Sequence, residues 1–306
     1  MSSVQRLSRI TMVCGELDPS ADFYKAAFGF VQTDEASITE PAVAKLMGIP
    51  DVTARVVTLR LGEQEIELAA IRPSGGSYPS TVSGRSPLFQ HFAIVVSDMA
   101  TAYARLSEQA GWKPISTDGP QVLPASSGGV AAYKFRDPEG HPLELIAFAR
   151  DAIPARWQET SPAVYLGIDH SAISVADTER SVRFYERLGL RRNGGSLNSG
   201  PEQEKLDDVA GALVEVTALA LPRFSTPHIE LLCYRGGLDR ESALPGANDV
   251  AATRLVLAVG NDEALEGCCA QNPPALLSGP VRFEHGALRA MLRDPDGHLL
   301  CLEASP

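Results

Sequence analysis

The chain has 306 residues, 44% of them apolar and 21% charged, with a formal net charge of -11. That is core material for two ordinary domains rather than one. The negative charge disfavours nucleic acid and anionic membrane surfaces as partners. It also repels anionic substrates unless positive charge is gathered locally. No apolar run is long enough for a membrane span. The opening MSSVQRLSRITMVCGELDPS has no apolar stretch after its basic residues, so it does not read as a secretory signal. The cysteines, Cys14, Cys233, Cys268, Cys269 and Cys301, are odd in number and form no CxxC pair. Free thiols in a reducing cytoplasm are the expectation.

In chain order, SRITMVCGELDPSADFYKAAFGF gives a short strand and then a helix. Asp18 is its expected cap, Pro19 its first helical residue and Gly29 its stop. VTARVVTLRLGEQEIELAAI supplies two strands, and residues 73–87 follow as a long loop. QHFAIVVSDMATAYARLSEQAGW repeats the strand-helix opening, and VAAYKFRDPEGHPLELIAFA closes that unit. Residues 151–162, DAIPARWQETSP, read as a linker. DHSAISVADTERSVRFYERLGL opens a third unit, with Asp177 as cap and Gly189 as stop. The polar segment 191–208 follows as a second loop, then the strands of VEVTALALPRFSTPHIELLCY. TRLVLAVGNDEALEGCCAQN and ALRAMLRDPDGHLLCLEAS form the fourth unit.

The expected class is therefore α+β. It has four strand-helix-strand-strand-strand units near 5–72, 88–150, 163–236 and 250–306. They group into domains 1–150 and 163–306 joined by the linker. DPEG and DPDG suit type I turns between strands. His141 and His298, beside those turns, read as structural.

The openings, best seen in HSAISVADTERSVRFYERLGL, and the ending DPEGHPLELI resemble the vicinal oxygen chelate superfamily. That group holds glyoxalase I, methylmalonyl-CoA epimerase, fosfomycin-resistance proteins and extradiol dioxygenases. The resemblance covers essentially the whole chain and implies curved mixed sheets, each cup built from two units. It implies that every unit offers one ligand from its first strand and one from its last. Unit 1 then offers Arg9 and Glu67, unit 2 His91 and Glu144, unit 3 His170 and Glu230, and unit 4 Arg254 and Cys301. If sequence neighbours share a cup, each set holds an arginine, which stays protonated and cannot ligate. If the middle units share one, His91, Glu144, His170 and Glu230 form a complete divalent-metal set. The other cup then keeps Arg9, Glu67, Arg254 and Cys301 as a degenerate second site.

The exchanged pairing, familiar in glyoxalase I-like relatives, is the expectation. It implies one divalent ion per chain (nickel, zinc, cobalt, manganese or iron). A lyase or isomerase would act on a small molecule with adjacent oxygens, with Glu144 or Glu230 as base. His228, on the same strand face as Glu230, and Gln203 and Glu204 in the polar segment are candidate pocket residues. An extradiol-type iron dioxygenase and a non-catalytic drug-sequestering protein are the alternatives. Nothing marks a glutathione site, and a monomer or homodimer is expected.

Overall fold

The computed structural model describes residues 4–158, 162–221, 224–239 and 243–305, with the side chains of 224 and 225 left aside. The first unit comprises β1 (Val4–Val13), α1 (Leu17–Phe28), β2 (Val31–Ile38), α2 (Pro41–Met47), β3 (Thr53–Leu61) and β4 (Gln64–Arg72). The second has β5 (Gln90–Val96), α3 (Met99–Ser107), β6 (Lys113–Pro114), β7 (Gln121–Val122), β8 (Ala131–Arg136) and β9 (Pro142–Ala147). The third has β10 (Tyr165–Ser174), α4 (Thr178–Leu188), β11 (Arg191–Ser199), α5 (Pro201–Asp207), β12 (Leu213–Leu221) and β13 (Phe224–Tyr234). The fourth has β14 (Arg254–Val259), α6 (Asp262–Gln271), β15 (Leu276–Arg282), β16 (Leu288–Arg293) and β17 (Leu299–Ala304).

The strands form two mixed sheets, and neither belongs to one half of the chain. One runs β15-β16-β17-β14-β1-β4-β3-β2 and joins the outer units. The other runs β11-β12-β13-β10-β5-β9-β8-β6, with β7 on β8, and joins the inner units. The central contacts are antiparallel pairs of opening strands, β1 with β14 and β5 with β10. Each opening strand also pairs in parallel with its own unit's last strand.

Alternation decides what each strand buries. On β9, Leu143 and Leu145 are fully buried in the main core, while Glu144 between them faces the concave side. The main core is continuous across both sheets. It includes Ile10 and Leu68 from the outer sheet, Ile94 and Ile173 from the inner one, and the helix aromatics Tyr24, Phe28, Phe184 and Tyr185.

The two DPxGH turns clasp consecutive units across the sheets. Gly140 N–H donates to the Asp137 carbonyl and Gly297 N–H to the Asp294 carbonyl, which closes each turn. Tyr24 of α1 donates its hydroxyl to Asp137 at 2.8 Å, and Tyr185 of α4 donates to Asp294 at 3.0 Å. His141 Nε2 lies 3.0 Å from the Val13 carbonyl on β1, and His298 Nε2 lies 2.8 Å from the Ser174 carbonyl on β10. Both histidines are thus bound into the frame.

Two local expectations need correction. Helix α1 starts at Leu17 with Glu16 at the cap position, so Asp18 falls in the first turn. There it pairs with Arg55 at 2.9 Å. Pro19 costs nothing at that point, because a first-turn N–H has no intrahelical partner. Segment 191–208 is not a loop but β11 and α5. As an edge strand, β11 tolerates polar residues and glycine, and Pro201 opens α5. Asp177 does cap α4, accepting from Arg180 N–H at 2.9 Å, and Gly29 and Gly189 stop their helices with φ of 74° and 104°.

Candidate metal centre

The strand register places the site before any side-chain detail. Across the inner sheet, Glu144 on β9 is level with Ala93 on β5, which is level with His170 on β10. One step along, His91 on β5 is level with Ala172 on β10, which is level with Glu230 on β13. The two rows are interchanged by the local twofold relation between β5 and β10. Ligand-type residues occupy the ends of each row and alanine its middle. Both alanines are fully buried. Their single methyl groups leave room above the sheet where four longer side chains converge.

The side chains do converge. His91 Nε2 lies 2.7 Å from Glu144 Oε2, and His170 Nε2 lies 3.8 Å from the same oxygen. His170 Nε2 is 3.6 Å from Glu230 Oε2. Ligating atoms of His91, Glu144 and His170 all fall within 4.8 Å of one another. Donors sharing one ion through bonds of about 2.1 Å stand roughly 3 Å or a little more apart. Neither ring nitrogen of His91 makes a well-formed hydrogen bond among the described residues, although both are buried. Buried ring nitrogens without well-formed hydrogen bonds are costly, and a cation shared with Glu144 would satisfy Nε2. The residues present therefore fit a divalent ion.

Surrounding groups prepare those donors. Asp169 Oδ2 lies 3.2 Å from His170 Nδ1, fixing the ring so that Nε2 faces the cup. Asp169 also accepts from the Trp157 indole at 3.0 Å. Burial opposes the Asp169 charge, but His170, His228 and Trp157 outweigh it and bring its pKa down to about 2. Burial likewise opposes a charge on His170, yet Glu230, Asp169 and Glu144 hold it well above the ordinary histidine range, so an ion binding at Nε2 would displace a proton there. Glu144 is buried too, but His170, His91 and Lys134 keep it well below the usual carboxylate range. The centre thus gathers an excess of carboxylate that calls for a cation. His91 is pushed down by its burial, which keeps a ring lone pair free to ligate.

Above the donors lies a cavity of about 170 Å³, smaller than the ~300 Å³ at the low end of common ligand pockets. One wall is a buried network. Lys134 Nζ pairs with Asp207 Oδ1 at 2.7 Å, and Gln203 and Tyr234 donate to Asp207 Oδ2 at 2.6 and 2.8 Å. Gln203 and Asp207 lie one helical turn apart on α5, so both face the cavity. Glu204 is rotated about 100° from Gln203 and does not line it. His228 donates toward Glu230 Oε1 at 3.3 Å, and its ring packs against His170. The loop 73–87 contributes nothing to this cavity; β11 and α5 form its far wall. Ala93, Ala172, Asp169 and Lys134 were not singled out from sequence. The first two had a visible signal, His-x-Ala at the same place in units 2 and 3.

The outer sheet repeats the register with other residues. Its rows read Glu67-Thr11-Arg254 and Arg9-Val256-Cys301. Thr11 and Val256 stand where the inner sheet has alanine, so branched side chains fill the ion's space. Thr11 donates to Glu67 at 2.6 Å, and Arg9 Nε lies 2.6 Å from the same carboxylate. Arg9 also forms a two-pronged bond with Glu303, each arm 2.9 Å. Cys301 is buried, and that burial raises its thiol to about 11, so it offers no thiolate. The outer cup thus holds two arginines and a neutral thiol where the inner one has two histidines and a glutamate.

With that geometry established, likeness to known proteins can be weighed. The model of the glyoxalase/bleomycin resistance protein/dioxygenase superfamily matches residues 6–145. Glyoxalase I from Zea mays superposes with a TM-score of 0.63 at 20% identity, covering 98% of this chain and 92% of that one. A Bacillus subtilis protein provisionally described as a dioxygenase gives 0.59 at 14% identity, covering 100% and 87%. Both likenesses concern the fold. No curated protein matches in sequence. The first two units thus match the model of this superfamily, and the whole chain, four units in one polypeptide, shares the fold of glyoxalase I.

Proposed function

We propose that the chain is a metal-dependent lyase or isomerase acting on a small molecule with adjacent oxygens, with its site in the inner cup. The observation that carries this reading is the convergence of His91, Glu144, His170 and Glu230 beneath one small cavity. A divalent ion held there would supply Lewis acidity toward a substrate carbonyl. Glu230 is the more accessible of the two carboxylates and has His228 beside it. It takes a proton from a carbon next to the carbonyl, and the bonding pair moves toward the carbonyl oxygen. Return of that proton to the neighbouring carbon gives an isomer; loss of a neighbouring leaving group gives a lyase product. Lys134, paired with Asp207 on the opposite wall, helps to keep Glu144 ionised.

The test is solvent-deuterium exchange across a panel of 2-hydroxy and 2-oxo carbonyl compounds with metal-loaded protein. Exchange at the carbon beside the carbonyl is expected, with a loss of about a hundredfold or more in Glu230→Gln. A metal-loaded protein that exchanges no member of the panel contradicts the reading.

A second reading has its own observation. The tightest donor group is two histidines and one carboxylate, His91, His170 and Glu144. With Glu230 turned to His228, that set suits oxygen-activating ferrous iron. Oxygen uptake with catechols by the iron-loaded protein would favour it; the isomerase or lyase reading expects none.

A further inference from the structure

The outer cup encloses the larger cavity, about 640 Å³, well within the range of small-molecule pockets. Three arginines line it: Arg9, Arg254 and Arg289. Two carboxylates form ion pairs with them. Glu67 pairs with Arg9, and Glu303 bridges Arg9 and Arg289, lying 2.6 Å from Arg289 Nε. Arg289 also lies over the Phe283 ring, 4.6 Å from its centre.

Arg254 has no such answer. It is 6% exposed and donates one N–H to the Ala247 carbonyl, while its buried Nε has no hydrogen-bond partner among the described residues. Burial holds its guanidinium down to about 10, the direction expected of a cation short of a counter-charge. Glu67 and Glu303 engage Arg9 and Arg289 and leave Arg254 without an ion pair on the cup floor; the other acidic residues lining the cavity, Asp34, Glu40 and Glu284, lie on its more exposed side. Part of the wall is apolar, with Val43, Leu46 and Met47 on one side and Val56, Phe283 and Met291 among the others; Asp34, Glu40, Glu284 and His285 make the rest polar.

We propose that the outer cup is a second ligand site, taking a small organic carboxylate whose anionic end meets Arg254 and whose apolar body fills the cavity. The site is independent of the inner centre. A buried, uncompensated cation costs stability, and a sequence under no other demand would lose it. A monoanion with an apolar body supplies both the missing charge and the missing packing.

The test is calorimetric titration of the whole, metal-loaded protein with hexanoate, benzoate and cinnamate, and with hexanamide, benzamide and cinnamamide as neutral controls. At least one carboxylate should bind once per chain, at least roughly tenfold tighter than its amide. Arg254→Met should weaken that binding at least about tenfold and also raise the melting temperature by roughly 2 °C or more. Val56→Trp, which fills the cavity and keeps Arg254, should weaken it as well. Binding should persist after EDTA treatment and in His170→Ala. Absence of binding in the millimolar range, equal binding of acid and amide, or insensitivity to both cavity variants overturns the proposal. Loss of binding with EDTA or in His170→Ala also overturns it, because the carboxylate then sits at the inner centre.

Discussion

Ala93 and Ala172 decide the difference between the two cups as much as the ligands do. Each sits level between a histidine and a glutamate, with no side-chain volume beyond one methyl group. Their counterparts Thr11 and Val256 are larger and sit under arginines. Ala93→Val should therefore lower metal content from about one ion per chain toward zero while the protein stays folded, as elemental analysis and circular dichroism would report. His170→Ala should do the same by removing a ligand. Cys301→Ala should leave the metal unchanged, since its thiol packs in the outer cup. The ligand candidates were legible in sequence because the repeat aligned them. The alanines were printed in HFA and HSA yet carried no chemistry to draw attention. Lys134 was invisible for another reason: its ion-pair partner Asp207 lies 73 residues away on α5, in another unit.

At the scale of elements, the DPxGH turns carry more than hairpin geometry. His141 presents Nδ1 to Asp137 at 2.9 Å and Nε2 to the Val13 and Val250 carbonyls at 3.0 and 3.1 Å. Both nitrogens face acceptors, so the ring is held as an imidazolium. Burial disfavours that charge, but Asp137 and the surrounding acceptors raise the His141 pKa above its ordinary 6.5. Asp137 is buried too, and His141 and Tyr24 bring its pKa below the ordinary 3.8. A raised folded pKa gives stability that is complete below 6.5 and is lost as pH climbs through the folded value. A lowered one gives stability that is complete above 3.8 and fades as pH falls through the folded value. The clasp is strongest between those limits. Urea unfolding should show stability declining above pH 6.5, with a flatter decline in His141→Gln; identical slopes would contradict the assignment. Tyr24→Phe, which strips a buried hydrogen bond from Asp137, should cost about 1–3 kcal/mol in the same experiment. The sequence displayed the Phe-Tyr helices and the DPxGH turns as separate repeats. Their contact was hidden because it links elements 113 residues apart in one case and 109 in the other. The Asp18 cap misled for a simpler reason: two acidic residues, one on each side of Leu17, offer two starts, and Glu16 precedes that first buried helical residue.

At the scale of the molecule, the two outer units pair with each other and the two inner units with each other, while clasps bind consecutive units across the sheets. This arrangement gives one cup with four ligand-type residues and one with three arginines. The pairing was argued in sequence from the ligand positions that the family resemblance implies and from the inability of arginine to ligate, and the sheet order agrees with it. The central claim is that the inner cup holds one divalent ion between His91, Glu144, His170 and Glu230. Its most direct test is anomalous diffraction from crystals grown with nickel or zinc. One strong peak within bonding reach of those four side chains is the result expected. A peak in the outer cup instead, or no ordered metal in the inner one, would contradict the account.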